Sequence, residues 1–345
     1  MKSPTQPPRT VVQWLYATAI MIGAMAIIGA ITRLTESGLS ITEWAPITGV
    51  IPPLSADDWQ KAFDLYRATP QYQLVMKGMS MDEFKNIFFW EWVHRLWGRL
   101  IGLVYALPLI YFTLTKKIPR PFLLRCWLIL LLGAAQGFVG WFMVQSGLVD
   151  ATTVSPYRLA LHLSLALVLL GAVLWTAWDI SHNAAAHEKL SFCMKRHGVV
   201  ALAFLAITIV WGAFVAGMDA GKMYNTWPLM EGEFLPAVAI SANPWWKNFF
   251  ANAVAIQFAH RWLGILTGVM ILSWAVRLYA QAPRGRNKKY AINLALLAII
   301  QPLLGILTLL HAVPVWLGTL HQGVAAVLLS YLLFQLHPVS RMHKI

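Results

Sequence analysis

An all-α integral membrane protein with eight transmembrane helices, arranged as two pseudo-symmetric four-helix bundles, is what three observations predict. The 345 residues are 58% hydrophobic and 12% charged, with a mean hydropathy of +0.60, against about 25% charged residues in an ordinary soluble domain. Eight apolar runs are each long enough to cross a bilayer core, which takes about 20 helical residues. The second four runs repeat the landmarks of the first, the mark of an internal duplication.

The runs fall near 12–32, 91–114, 122–145, 158–178, 197–217, 255–279, 290–311 and 315–336. Residues 1–10 are polar and proline-rich, and the first run is too long for a signal-peptide core, so an uncleaved first helix is expected. Seventeen tryptophans suit the interfacial aromatic belts of a multispan protein. Loop charge sets the orientation. The N-terminus, 115–121 with Arg125, 179–196, 277–289 and the C-terminal tail hold sixteen basic residues against Asp179 and Glu188. The other side is left with 11 basic and 12 acidic residues. Both termini are therefore expected in the cytoplasm and the chain in an inner (cytoplasmic) membrane. The net charge of +13 is spread over short loops rather than one soluble face, which excludes nucleic acid as a partner and leaves membrane lipid. Cys126 and Cys193 fall on the cytoplasmic side, where no structural disulfide is expected.

On the outer side the longest loop is 33–90. Ser55 followed by Asp57 and Asp58 reads as a helix start, with Trp59, Phe63 and Tyr66 at helical spacing. Ser80 with Glu83 forms a capping box, so the second span begins as a helix already standing outside the membrane. The outer loop 218–254 is shorter and rich in Trp, Pro and Gly.

The repeat organises the rest. Gly29-Ala30 through Glu36-Ser37-Gly38 and Trp44 align with Gly212-Ala213 through Asp219-Ala220-Gly221 and Trp227 at an offset of 183. His94 aligns with His260 at 166, Gln136 and Gly140 with Gln301 and Gly305 at 165, and His162 with His321 at 159. Four spans separate equivalent positions, so the halves 1–180 and 181–345 have parallel topology about an axis along the membrane normal.

Chemistry concentrates where the second span starts. Phe88 through Gly102 carries Glu91, His94, Arg95 and Arg99, and Gln257-Phe258-Ala259-His260-Arg261 repeats its first part. Ionisable groups at the head of a membrane-length segment are expensive and usually functional. His94, His162, His260 and His321 each lie roughly three to seven residues inside the outer end of an even-numbered span, at about one depth. Two imidazoles on facing helices of a four-helix bundle clamp a haem iron from both sides. Gly98, Gly102, Gly264, Gly268, Gly305 and Gly323 would let helices or a flat macrocycle approach. Arg95 and Arg261 would pair with haem propionates.

Plainer readings stay open beside these. A single intramembrane histidine is often a hydrogen-bonded packing residue, the arginines are interfacial snorkelling groups, and the glycines are small-residue packing. Zinc is the weaker metal, since no short His/Cys spacing occurs. His182, His187, His197, His311, His337 and His343 have no counterpart in the repeat and read as loop or end residues. The halves differ at one point: Glu91 faces Gln257 in the alignment. A carboxylate beside a macrocycle moves protons or stabilises a cation, which an amide cannot. That assigns chemistry to the first half and electron storage or transfer to the second, unless Glu91 simply pairs with Arg95.

The run Thr32-Arg33-Leu34-Thr35-Glu36-Ser37-Gly38-Leu39-Ser40 with Trp44, the Glu91-x-x-His94-Arg95 motif, and His162, His260-Arg261 and His321 resemble the heme A synthase family. The likeness runs from about residue 15 to 336 and is greatest to the alpha-proteobacterial and mitochondrial branch. It implies an oxidoreductase that converts the C8 methyl of heme O to a formyl group by two successive hydroxylations, making heme A for cytochrome oxidase. It implies that His260 and His321 bind a heme b cofactor, that His94 and His162 hold the substrate heme, and that Glu91 is catalytic. A heme O synthase and oxidase assembly factors are the implied partners, and a homo-oligomer is left open. Some Gram-positive members carry cysteine pairs in the outer loops. This sequence has none there, so no cysteine redox role carries over. The rivals are a di-haem b-type electron-transfer protein and a transporter with parallel repeats.

Overall fold

The computed structural model describes residues 8–45, 48–149, 151–181, 190–282 and 285–337. His182, His187, His343 and the charged residues Lys2, Glu188, Lys189, Arg284, Arg341 and Lys344 lie outside them, and Arg286 is described by its backbone alone. Eight helices among the described residues are long and apolar enough to span a membrane. They are α1 (Arg9–Leu34), α4 (Met81–Leu114), α5 (Arg120–Gln145), α6 (Pro156–Ser181), α7 (Phe192–Gly217), α9 (Ala253–Gln281), α10 (Arg286–Leu310) and α11 (Val315–Leu336). The chain is a multi-pass membrane protein.

Between α1 and α4 stand α2 (Ala56–Arg67) and α3 (Pro70–Leu74), and α8 (Asn248–Ala251) precedes α9. The loops carrying these short helices emerge from one end of the spans, termed the loop face. Both expected caps form. The Ser55 hydroxyl accepts from Asp58 N and the Asp58 carboxylate accepts from Ser55 N, and Ser80 and Glu83 do the same at the head of α4. Each box satisfies two orphan amides of a helix start, worth about 1 kcal/mol. The Ser55 hydrogen bonds hold the Asp58 carboxyl below its usual range. Phe63, Tyr66, Tyr72, Phe84 and Phe88 bury one another beneath α2, giving this loop its own small core.

α1 packs on α4 and α6, α4 on α5, and α5 on α6, which closes a ring of four. In the same order α7 packs on α9 and α11, α9 on α10, and α10 on α11. The rings meet where α1 touches α11, α6 touches α7, and α6 touches α11. Each pairing within the first ring therefore has its counterpart in the second.

The main hydrophobic core occupies one half of the bundle. Its buried residues come from all eight spans, including Val11–Ile22 of α1, Tyr105–Phe112 of α4, Leu167–Ile180 of α6 and Ile271–Leu278 of α9. Most of them lie in the halves of the helices away from the loop face. The four repeat-matched histidines stand on the other side of this core, near the loops.

Candidate functional site

Helix geometry brings three of the histidines level, while His94, thirteen residues into the longer α4, is placed by its contact with Gly29. His162, His260 and His321 stand six, seven and six residues after the first residues of α6, α9 and α11, about 9–10 Å down each helix at 1.5 Å per residue. Each meets a glycine on the helix before it. A methyl group added to Gly140, Gly212 or Gly305 would come within 2.9 Å of Cε1 of His162, His260 or His321, and one on Gly29 within 3.4 Å of Nε2 of His94. All four glycines lie five residues before the ends of α5, α7, α10 and α1. The result is one layer of four Gly–His contacts, two per ring, and at Gly140, Gly212 and Gly305 only glycine lets the imidazole stand so close to the neighbouring backbone.

Within the second ring the His260 and His321 ring centres are 6.4 Å apart, with planes at 87°. A metal ion held at about 2 Å by a nitrogen from each of two imidazoles sets their centres a little over 6 Å apart, so this spacing fits one ion between them. Nδ1 of His260 lies 3.1 Å from the Thr208 carbonyl. A carbonyl only accepts, so Nδ1 carries the proton and Nε2 presents the lone pair a metal needs. In the first ring Nδ1 of His162 is buried without a hydrogen-bond partner.

Two glutamines hold the second histidine of each ring. The Gln301 amide nitrogen donates to the His321 carbonyl at 3.0 Å and lies 3.2 Å from its Nδ1, and that of Gln136 lies 3.0 Å from the His162 carbonyl and 3.5 Å from its Nε2. Gly29, Gly212, Gly140, Gln136 and Gln301 were visible in the sequence as repeat landmarks but not as histidine partners. Of the glycines singled out beside the histidines, only Gly305 touches one. Gly98 meets Met25, Gly268 the Ala298 carbonyl and Gly323 Ile27, while Gly102 and Gly264 face open space. Lying on the histidines' own helices or beside them in sequence, these point elsewhere.

The glutamate and the arginines form a second tier. Glu91 is 3% exposed. Its Oε1 accepts from Arg95 at 2.6 and 3.1 Å, and its Oε2 accepts from the Ser40 hydroxyl and Ile41 N at 2.8 Å each. Arg95 also donates to the Ile41 and Glu43 carbonyls at 2.6 and 2.9 Å. The pairing of Glu91 with Arg95 is thus present, and both guanidinium arms reach the loop backbone. In the second half Arg261 donates to the Tyr224 and Thr226 carbonyls at 2.6 and 2.7 Å, and Gln257 donates to Tyr224 at 3.1 Å. Tyr224 and Thr226 are the repeat counterparts of Ile41 and Glu43, so each arginine pins the same place of its own loop. Arg99 donates to the Ala45 carbonyl at 2.9 Å.

Glu36 and Asp219, also repeat counterparts, both take left-handed backbone at φ 56° and 51°, just past the ends of α1 and α7. Asp219 accepts from Arg33 at 2.8 Å, and Lys222 lies 3.1 Å from Asp219 and 3.6 Å from Glu36. This charge cluster joins the two rings at the loop face. Burial raises the Asp219 carboxyl, but Arg33 and Lys222 together outweigh it and hold it below its usual range.

Among the described residues, the histidines without repeat partners have structural uses. His337, at the end of α11, is buried against Trp175 and Trp178 and 2.9 Å from Asp179, which also pairs with Arg125. His197 lies inside α7, within 3.2 Å of the Met270 carbonyl and Ser273 and 3.0 Å of Arg277, rather than at a helix end. His311 caps α10. Among the described residues no three His, Cys, Asp or Glu side chains converge, whereas a structural zinc site takes four ligands. Paired imidazoles fit haem iron instead.

The chain is similar to known proteins over nearly its whole length. The COX15-CtaA model, described as cytochrome oxidase assembly protein, matches residues 12–333. A heme A synthase from Rhodospirillum centenum is 49% identical over 330 residues, covering 96% of this chain and 88% of that protein. One from Parvibaculum lavamentivorans is 44% identical over 330 residues (95% and 94%), and one from Azorhizobium caulinodans 45% over 326 (94% and 92%).

Proposed function

The chain belongs to the COX15-CtaA family of cytochrome oxidase assembly proteins, and we propose that it works as a heme A synthase, an oxidoreductase that oxidises the C8 methyl of heme O to a formyl group. The observation that carries this reading is the doubled layer of glycine-backed imidazoles. Full-length similarity to heme A synthases leaves the di-haem relay and the transporter without support.

The two halves, 1–180 and 181–345, divide the work. His260 and His321 hold heme b, which supplies a one-electron store and relay. His94 and His162 hold the substrate heme. Both termini lie in the cytoplasm, the protein sits in the inner membrane, and a heme O synthase and oxidase assembly factors are its partners on the supply and delivery sides.

The contrast between Glu91 and Gln257 supports the division. Gln257 and Arg261 hold their loop without a carboxylate, so loop-holding alone does not require one. The charge in the first half has another use: placed one turn before His94, it stabilises positive charge that develops on the substrate macrocycle as electrons leave, and it receives protons. The chemistry balances as two steps. The methyl group and one water give the hydroxymethyl, with two electrons passing to an external electron acceptor and two protons released. A second water gives the gem-diol with the same loss, and the diol expels water to leave the aldehyde. Arg95 and Arg261 keep the loops closed over the two sites, limiting solvent to the waters that react.

Haem analysis of two variants tests the division. His260→Ala loses heme b and His94→Ala retains it while losing heme O and heme A; equal loss of heme b from both overturns the assignment. Isotope labelling tests the chemistry: the formyl oxygen derives from labelled water, and label arriving from O2 alone refutes the water-attack steps.

A further inference from the structure

The second long loop differs from the first in what it shows to its surroundings. The first buries Phe63, Tyr66, Tyr72, Phe84 and Phe88 in its own core, and the apolar residues it exposes, such as Leu54 and Leu74, stand among the charges Asp57, Asp58, Lys61, Asp64 and Lys77. In 234–250 the only charged residue is Lys247. Trp245 is 70% exposed and Ile240 65%, with Val238, Trp246, Phe249 and Phe250 also exposed.

We propose that residues 234–250 form a membrane-embedded skirt, lying in the headgroup and upper acyl layer of the leaflet on the loop face, with phospholipid as its partner. Three observations carry this. First, the loop reaches down beside the spans. The Phe250 ring lies 5.9 Å from Trp211, six residues before the end of α7, and the Phe234 ring lies 5.3 Å from Trp262, nine residues into α9. Trp211 and Trp262 themselves sit about 9 and 13 Å along their helices from the loop-face ends, near the level of His260. Second, the backbone of the skirt is hydrogen-bonded from within, as a low-dielectric setting demands. Asn248 accepts from Ala242 N and donates to the Ala242 and Trp245 carbonyls, and Asn252 donates to the Val238 carbonyl. The Tyr157 hydroxyl donates to the Phe250 carbonyl and ties the skirt to the head of α6. Third, two tryptophans beside a lysine are the residues that anchor proteins at a lipid interface, where indole and ammonium both find partners. A rim this apolar in water would be an aggregation surface.

Spin labels test the placement on the full chain in phosphatidylethanolamine–phosphatidylglycerol vesicles, with Cys193→Ser as background. Labels at Ile240→Cys and Trp246→Cys collide with oxygen several-fold more than with a water-soluble nickel chelate, as at the lipid-facing control Leu131→Cys. The water-facing control Lys61→Cys shows the reverse. Size-exclusion elution confirms that each variant folds. Nickel-dominated collisions at both loop sites overturn the proposal. Low collision with both reagents, or broadening between labels, also overturns it and gives the face to a protein partner or a second copy.

Discussion

Replacing Gly305 by alanine probes the histidine layer most sharply. The new methyl group would sit 2.9 Å from Cε1 of His321, where carbon contacts are comfortable only at about 3.5–4.0 Å. The ring cannot simply back away, because Gln301 holds both its Nδ1 and its backbone carbonyl. Either the imidazole leaves its position or α10 and α11 part, an overpacking that costs about 1–3 kcal/mol. With heme b bound by this histidine, that energy lowers the affinity roughly 5- to 150-fold. The assay is heme b per protein after purification, read from the pyridine haemochrome, followed by titration of the depleted protein with hemin. Gly212→Ala, with the same 2.9 Å approach to His260, behaves alike. Gly29→Ala, at 3.4 Å from His94, leaves heme O and heme A content near wild type. Wild-type heme b affinity in Gly305→Ala would refute the reasoning.

Other perturbations separate chemistry from scaffolding. Glu91→Gln keeps one acceptor for Ser40 and Ile41 and loses the charge toward Arg95, costing about 1–3 kcal/mol of stability. It retains both haems while heme A falls to background, as read by chromatography of extracted haems. Asp219 is depressed in the folded protein, so its stabilisation is complete above the unfolded carboxyl value of 3.8 and is lost as pH falls from there through the lower folded value. Thermal unfolding in acid shows this extra loss in wild type and not in Asp219→Asn. Ser80→Ala removes the box at the head of α4 and costs about 1 kcal/mol, seen as a lower melting temperature with unchanged haem content.

The spans were legible because a membrane core forces length and apolarity on any helix that crosses it, and the caps because Ser55 and Ser80 declare themselves locally. The four histidines were legible through the repeat. Their partners were not, because periodicity describes one helix while the glycines behind the imidazoles sit on another. The alignment of Gly29 with Gly212 and of Gly140 with Gly305 held that information, and reading matched small residues as contact points would have released it. Arg95 and Arg261 were ambiguous for a different reason: a guanidinium at an interface serves a propionate, a lipid or a backbone equally well, and only the folded chain brings the Ile41 and Tyr224 carbonyls to them. His337 looked like a terminal residue, yet the tryptophans of α6 bury it.

The most direct measurement is extraction of haem from the purified wild-type protein, co-expressed with a heme O supply, and separation of heme b, heme O and heme A. Heme A together with heme b is the predicted result. Heme b alone, with the added heme O neither bound nor converted, would contradict the synthase and leave an electron-transfer cytochrome.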